Sequence, residues 1–170
     1  MPSHTMELPR QIVLGDKNIG DIGNFLNSLK KTKKVSLISG GNVKKIVQKK
    51  IEASLIASKI KSSWYLAKTN DQKTIQYIEK KVRLSKSELV IGIGGGRSVD
   101  IAKLIGFNLN RPFVSVPTSA SHDGIASPFV SVKGDKPHSL VATAPLGVFV
   151  DVDIIKKAPK NCLQAVAEIS

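Results

Sequence analysis

Three consecutive glycines, Gly94, Gly95 and Gly96, stand between an apolar run and a second apolar pattern with helical spacing. Glycine adopts positive φ readily and lets a ligand approach the backbone N–H groups closely. Ser98 is a suitable N-cap for the following helix, and Arg97 could add a bidentate cation. The start of such a helix holds phosphate through its N–H groups and dipole. The stretch therefore predicts a phosphate-binding turn, with a plain βα turn as the alternative.

A run of small polar residues follows a predicted strand that ends at Val116. Hydroxyls that can donate to phosphate, amide or ribose oxygens are those of Thr118, Ser119, Ser121 and Ser127. Asp123 can accept from a substrate hydroxyl, with an Asx-turn as the alternative role. Because open α/β sheets bind ligands at the carboxyl ends of their strands, we expect this run to face the same ligand as the glycines.

The glycine stretch differs from the usual Rossmann fingerprint. Arg97 stands where the third glycine would be, and no acidic residue lies between Asp100 and Asp123 to hold a ribose. A second glycine turn at residues 39–42 also lacks an acid that would disfavour a 2′-phosphate. The sequence therefore predicts a different dinucleotide site that accepts NADPH, although a plain turn at residues 39–42 is equally consistent with the pattern.

The surrounding pattern alternates short apolar runs with amphipathic segments. Strands are predicted at residues 11–14, 35–38, 62–66, 89–93, 113–116 and 146–150, and helices at 19–29, 43–55, 72–84 and from 98 onward. This alternation predicts a doubly wound, mostly parallel, Rossmann-like sheet. Residues 129–132 and 139–143 predict a β-hairpin around a turn at 133–137. Asp71 and Asp153 are candidate N-caps of the helices that follow them.

Composition limits the protein class. At 170 residues and 41% hydrophobic, the chain is expected to form one domain over residues 1–159. Cys162 is the only cysteine, and the three histidines are scattered, so neither a disulfide nor an internal zinc site is expected. The sequence lacks a long apolar run and a signal-peptide pattern, which predicts a cytoplasmic protein without a transmembrane segment.

The formal net charge of +13 invites a nucleic-acid interpretation. Aromatic residues make up only 5% of the chain and are not interleaved with the lysine pairs for base stacking. A solvated basic surface is therefore the preferred interpretation, with attraction of an anionic substrate, a membrane or nucleic acid as alternatives. No specific nucleic-acid partner is expected.

Three stretches together resemble archaeal sn-glycerol-1-phosphate dehydrogenases. They are residues 94–100, residues 117–129 with the Ser-His-Asp-Gly-Ile-Ala-Ser-Pro run, and residues 149–159. The glycine stretch is shared with glycerol dehydrogenases, iron-type alcohol dehydrogenases and dehydroquinate synthases, whereas the Ser-His-Asp-Gly run is more specific. The resemblance covers nearly all of the chain up to Pro159. A glycerol dehydrogenase or a dehydroquinate synthase relative is the alternative within this superfamily.

The resemblance implies NAD(P)H-dependent, reversible reduction of dihydroxyacetone phosphate to sn-glycerol 1-phosphate, the backbone precursor of archaeal ether lipids. It implies substrate contact by Asp123. It implies cofactor contacts by Gly94, Gly95, Gly96, Arg97, Ser98, Val99, Asp100, Thr118, Ser119, Ala120, Ser121 and Ser127. A homo-oligomer is expected for full-length members.

The resemblance also implies a zinc ion held by one Asp and two His of a second, helical domain, where it polarises the substrate oxygen. Residues 160–170 depart from the family pattern, so we expect a truncated tail, no metal ligands in this chain and no activity of the chain alone. A frameshift is one hypothesis for this departure. A non-catalytic dinucleotide-binding module, or a half-enzyme that pairs with a separate helical subunit, is the alternative function.

Overall fold

The structure is a computed structural model, which describes residues 8–120, 125–132 and 138–158. Its strands are β1 (Gln11–Gly15), β2 (Lys34–Ser39), β3 (Lys61–Leu66), β4 (Leu89–Gly94), β5 (Phe113–Pro117), β6 (Phe129–Val132), β7 (His138–Val141) and β8 (Gly147–Asp151). Its helices are α1 (Ile22–Leu29), α2 (Gly41–Ala57), α3 (Gln72–Ser85), α4 (Gly96–Asn108) and α5 (Val152–Lys156), and a 3-10 turn at Ile19–Asp21 precedes α1. None of the helices in these ranges is long and apolar enough to cross a membrane.

Six of the strands form one sheet in the order β1-β8-β5-β4-β2-β3, and every pairing in it is parallel. Parallel neighbours need crossover connections, which the helices provide. β1 and β3 are the two edge strands. The predicted α/β architecture with a parallel sheet is confirmed.

Two apolar cores lie on opposite faces of this sheet. Leu89, Ile91 and Ile93 of β4 belong to the core beneath α1 and α2. Val90 belongs to the other core, beneath α3 and α4. Successive side chains of a strand point to opposite faces, so a strand that is buried on both sides reads as one continuous apolar run. The sheet is therefore wound with helices on both faces.

Helix α4 packs unusually closely on the sheet because residue 92 is a glycine. A Cβ placed on Gly92 would lie 2.9 Å from the Cα of Val99 and 2.9 Å from the Cβ of Ala102. Real Cβ atoms essentially never approach other atoms so closely. Gly92 therefore fixes the distance between β4 and α4, and with it the position of the glycine turn that joins them.

Two short strands near the predicted hairpin segments form a small sheet apart from the main one. Residues 129–132 pair antiparallel with residues 138–141 in a separate two-stranded sheet, with Val130 opposite Leu140. The predicted turn at residues 133–137 lies outside the described residues. β6 packs against α4, so this small sheet is placed beside the helix that follows the glycine turn.

Two of the predicted helix caps are settled by the structure. The Asp71 carboxylate accepts a 2.9 Å hydrogen bond from the Thr74 N–H at the start of α3, which confirms that cap. The prediction for Asp153 is wrong, because Asp151 is the N-cap of α5 and accepts from the N–H groups of Asp153 and Ile154. β8 extends one residue further than predicted, to Asp151, so the helix begins earlier.

Candidate cofactor site

The candidate site lies between β2 and β4, where the order in which successive strands are added to the sheet reverses. β2 and β4 are neighbours, yet α2, which follows β2, packs on one face and α4, which follows β4, packs on the other. Such a reversal leaves a crevice outside the carboxyl ends of the two strands, and ligands of open α/β sheets bind in it. The residues bordering this crevice are those of the two glycine turns.

The turn between β4 and α4 requires glycine at its first position. Gly94 has φ +146°, which side chains rarely tolerate, and a Cβ there would lie 2.9 Å from the Ser98 Oγ. Gly95 is extended and is the N-cap of α4, and its carbonyl accepts from the Val99 N–H at 3.3 Å. The prediction of Ser98 as N-cap is therefore wrong. Ser98 lies inside the first turn with a buried side chain.

No side chain caps the start of α4. The leading N–H groups of a helix have no partner within the helix, and they point along its axis toward the N-terminus. At this position they point into the crevice, together with the positive end of the helix dipole. The turn thus has the geometry that holds an anion at a helix start.

Arg97 adds a positive charge at the rim of the crevice. Its side chain is exposed, and Nη1 donates a 2.8 Å hydrogen bond to the carbonyl of Lys68, in the connection after β3. This bond joins the start of α4 to the neighbouring loop and positions the guanidinium beside the turn. The other guanidinium donors remain suited to a bidentate contact with phosphate.

The next two predicted residues lie inside the domain behind the turn. Val99 is fully buried in the core between α4 and the sheet, so its side chain faces away from the crevice. Asp100 is only 4% exposed, and its Oδ1 lies 4.0 Å from the Nζ of Lys103. Both residues therefore support the turn from within.

The segment after β5 lies directly beside the glycine turn. The N–H of Thr118 donates a 3.0 Å hydrogen bond to the carbonyl of Gly94, and the Oγ of Ser119 lies 3.3 Å from where a Cβ on Gly95 would be. Thr118 and Ser119 are buried, whereas Ala120 is exposed. The structure thus brings the predicted residues 118 and 119 together with the predicted residues 94–98.

The rest of the predicted site divides into two groups. Ser127 is half-buried in the described segment that leads into β6. Ser121, His122 and Asp123 lie outside the described residues, so their roles stay predictions from the sequence. The described part of the site is therefore the side formed by the ends of β4 and β5.

A cavity of about 350 Å³ opens beside the turn. Its floor is formed by Gly95, Thr118 and Ser119, one wall by α2, and the other by α5 with the two residues that follow it. The wall residues are Asn42, Val43, Ile46, Val47, Ile154, Lys157 and Ala158. The α5 wall is not predicted from the sequence, although the position of Ile154 shortly after the end of β8 was a usable signal. Small-molecule sites are typically concave and mostly apolar, with a few polar groups, as this cavity is.

A cation stands at the edge of the cavity. The Nζ of Lys157 donates a 2.7 Å hydrogen bond to the Asp153 carboxylate. This bond raises the pKa of Lys157 and, because it favours the ionised carboxylate, lowers the pKa of Asp153. Lys157 therefore remains protonated, and it forms an ion pair with Asp153 at the mouth of the cavity.

The described residues do not fit a metal site. Among residues 8–120, 125–132 and 138–158, no group of three or more His, Cys, Asp or Glu side chains is placed to hold a metal ion. A stable site usually needs at least three protein ligands around the ion. No role at the crevice is therefore assigned to a metal.

The sequence of the chain matches a known protein family and several known proteins. Residues 13–159 match the family model of iron-containing alcohol dehydrogenases. The chain is 65% identical over 163 residues to a glycerol-1-phosphate dehydrogenase [NAD(P)+] of Nitrosopumilus maritimus, covering 96% of this chain and 46% of that protein. It is 61% identical to the protein of the same name from Cenarchaeum symbiosum, with the same two coverages. The chain thus spans about half the length of these relatives.

Solved structures share the fold at low sequence identity. The crystal structure of glycerol dehydrogenase from Schizosaccharomyces pombe superposes with a TM-score of 0.88 at 22% identity, over 97% of this chain and 43% of that one. An NADH-dependent butanol dehydrogenase from Thermotoga maritima gives a TM-score of 0.85 at 20% identity, over 95% of this chain and 47% of that one. These likenesses show the fold alone.

Proposed function

The chain belongs to the iron-containing alcohol dehydrogenase family, and we propose that it is the cofactor-binding part of an NAD(P)H-dependent sn-glycerol-1-phosphate dehydrogenase. The observation that carries the cofactor assignment is the uncapped start of α4, which points into the crevice at the glycine turn. The substrate assignment rests on the relatives named glycerol-1-phosphate dehydrogenase, with which this chain shares 65% and 61% identity.

In the proposed reaction, bound NAD(P)H would supply the hydride that reduces the carbonyl carbon of dihydroxyacetone phosphate, and a proton would be added to the carbonyl oxygen. The products are sn-glycerol 1-phosphate and NAD(P)⁺, and the reaction runs in both directions. The contribution of this chain is to bind and orient the cofactor, because hydride transfer requires the two reacting carbons to be held in contact.

The cofactor pyrophosphate is assigned to the first turn of α4. The N–H groups that follow Gly95 donate to its oxygens, Arg97 supplies charge at the rim, and Gly94 permits the close approach. Val99 and Asp100 support this turn from inside the domain. Thr118, Ser119, Ala120, Ser121 and Ser127 are assigned to the rest of the cofactor, and Asp123 to the substrate.

The domain assignment follows from the same proposal. Residues 1–159 form the NAD(P)-binding domain, and residues 160–170 are a divergent tail that lies outside the described residues. The zinc ion implied by the resemblance is proposed to bind to one Asp and two His of the second, helical domain of full-length members, with no ligand from this chain. The apolar cavity between α2 and α5 borders the cofactor site, and we expect its apolar side chains to exclude water from one side of the bound cofactor.

Direct titration tests the cofactor assignment. NADPH is added to the 170-residue chain, and the change in nicotinamide fluorescence gives its Kd, with displacement by ADP as the check on specificity. We expect saturable binding and no oxidation of NADPH when dihydroxyacetone phosphate is added to this chain alone. Failure of NADPH and ADP to bind would overturn the assignment.

A chimera tests the reaction. Residues 1–158 are fused to the part of the Nitrosopumilus relative that follows the matched region, which is a conservative exchange at 65% identity. We expect NADPH-dependent reduction of dihydroxyacetone phosphate to sn-glycerol 1-phosphate. Reduction of dihydroxyacetone alone would indicate a glycerol dehydrogenase, and a chimera that binds NADPH without reducing either compound would indicate a non-catalytic nucleotide-binding module.

A further inference from the structure

Lys103 is buried to an unusual degree for a lysine. Its side chain is fully inaccessible to solvent and is the largest of the completely buried side chains in the described part of the chain. Lysine is almost never fully buried unless it is paired, because its ammonium loses hydration that the interior does not replace. Its Nζ lies 4.0 Å from the Oδ1 of Asp100, one turn earlier on α4.

Stability does not account for this pair. A buried ion pair contributes little net stability, because two charges must be desolvated to form it. An apolar side chain such as methionine would fill a similar volume on the same helix without that cost. The presence of a lysine at this buried position therefore needs an explanation other than stability, and the proposed pyrophosphate contact provides one.

Asp100 and Lys103 lie on one side of α4, close to the glycine turn. Gly92 faces Val99 and Ala102, which marks the sheet side of α4, and Asn108 donates to Glu79 of α3, which marks a second side. Helical spacing places residues 100 and 103 on the flank opposite α3, and β6 packs against this helix.

Asp100 is about 6 Å along the helix axis from Gly96. The negative charge of a buried carboxylate so close to the first turn offsets the positive potential of the helix start and repels an anion there.

We propose that Lys103 is a positioning residue whose ammonium balances the charge of the Asp100 carboxylate behind the glycine turn and so preserves the affinity of that turn for phosphate. This inference rests on the proposed function, because it assumes that the first turn of α4 binds the cofactor pyrophosphate. Lys103 touches neither cofactor nor substrate in this role. It acts through the field that the Asp100 carboxylate exerts on the bound phosphates.

The test compares ligands that differ in phosphate number. Adenosine, AMP and ADP displace NADPH from the 170-residue chain and from Lys103→Met, after circular dichroism and a cooperative thermal transition show that the variant is folded. We expect ADP to bind at least about tenfold more weakly to Lys103→Met, AMP to lose less, and adenosine to change by less than about twofold. A role in packing alone would weaken all three ligands by the same factor.

Two further variants complete the test. Asp100→Asn combined with Lys103→Met removes both charges, and we expect it to bind ADP more tightly than Lys103→Met alone. Lys49→Met is the control, since it removes one exposed lysine of α2 and should leave every affinity unchanged. If Lys103→Met fails to fold, Lys103→Gln takes its place with the same expected order of affinities.

Three outcomes would overturn the inference. These are an ADP affinity of the single variant within about threefold of that of the unaltered chain, an equal loss for adenosine and ADP, and no recovery in the doubly neutral variant. If the unaltered chain binds no ADP, the proposed cofactor site is itself wrong, and the inference fails with it. If the unaltered chain binds ADP, any of the three outcomes overturns the charge-balancing role alone.

Discussion

The carboxylate of Asp151, at the end of β8, accepts a 2.9 Å hydrogen bond from the backbone N–H of Ile19, which lies 132 residues earlier in the chain. The same carboxylate accepts from the N–H of Lys17 at 3.1 Å and from the N–H groups of Asp153 and Ile154 at 3.0 and 3.3 Å. One buried side chain thus joins the connection after β1 to the start of α5. It thereby holds the α5 wall of the cavity.

Replacing this carboxylate should strongly destabilise the fold. We expect Asp151→Ala to lower the free energy of unfolding by about 2–4 kcal/mol, because one buried and three partly buried N–H groups lose their acceptor. Asp151→Asn retains one acceptor oxygen and should cost about half as much. Urea denaturation measures both changes. Asp16→Ala is the control, since it removes only an exposed ion pair with Lys156 and should cost less than about 0.5 kcal/mol. Equal costs for Asp151→Ala and Asp16→Ala would contradict this account.

The glycine turn gives a second prediction. Gly94→Ala places a Cβ 2.9 Å from the Ser98 Oγ at a residue with φ +146°. We expect a loss of about 1–3 kcal/mol in unfolding free energy and at least about tenfold weaker NADPH binding, because the turn must shift to relieve the strain. Urea denaturation and fluorescence titration measure the two effects.

The matched control for this substitution is also a glycine at a helix start. Gly41 begins α2, has no atom within 4 Å of an added Cβ and is exposed. Gly41→Ala should therefore leave the stability unchanged or raise it by up to about 1 kcal/mol. Equal effects of the two substitutions on stability would show that the conformation of Gly94 does not constrain the turn.

Local rules predicted the elements well, because strands buried on both faces and amphipathic helices have distinct apolar periods. The helix start at the glycine turn was misjudged because Ser98 is the better cap by residue type, whereas Gly94 turns the chain at positive φ, the extended Gly95 takes the N-cap position, and α4 begins at Gly96. The sequence predicted parallel strands, but the placement of β1 beside β8 depends on contacts between distant residues, such as the one from Asp151 to Ile19.

The site was predicted only in part, for a similar reason. The glycines and the residues after β5 can be recognised in the sequence by their types and by their position after strands. Thr118 and Ser119 do lie beside the turn. Lys103 gives no such signal, because a charged residue in an amphipathic pattern is normally expected at the surface. The α5 wall of the cavity is likewise a consequence of tertiary packing, which no local pattern encodes.

The cap of α3 predicts how stability changes in acid. The Thr69 hydroxyl and the Thr74 N–H donate to the Asp71 carboxylate and lower its pKa to about 2 from 3.8. Because the folded state favours the ionised form, this stabilisation is complete above pH 3.8 and is lost as the pH falls from there toward 2. We therefore expect the melting temperature of Asp71→Asn to fall less between about pH 5 and about pH 2 than that of the unaltered chain.

Thermal unfolding at a series of pH values measures this difference. The control is Asp16→Asn, which removes a carboxylate whose partner is the exposed Lys156 side chain, and its melting temperature should follow that of the unaltered chain. Parallel pH profiles for Asp71→Asn and the unaltered chain would show that the Asp71 cap does not contribute to the acid response.

The start of α2 predicts the choice of cofactor. Residues 39–42 at the end of β2 contain no acid, and Asn42 lies at the cavity beside the crevice. In dinucleotide sites an acid at the end of this strand holds the ribose hydroxyls of NADH and repels the 2′-phosphate of NADPH. Asn42→Asp should therefore weaken NADPH binding by about tenfold or more while NADH changes by less than about threefold.

Fluorescence titration of both cofactors measures this split. Asn24→Asp introduces the same charge on the exposed side of α1 and should leave both affinities unchanged. If the unaltered chain already binds NADPH about a hundredfold more weakly than NADH, some other group disfavours the 2′-phosphate, and the end of β2 does not set the preference. If Asn42→Asp weakens both cofactors equally, the new carboxylate acts on the shared pyrophosphate, and the adenosine ribose lies elsewhere in the crevice.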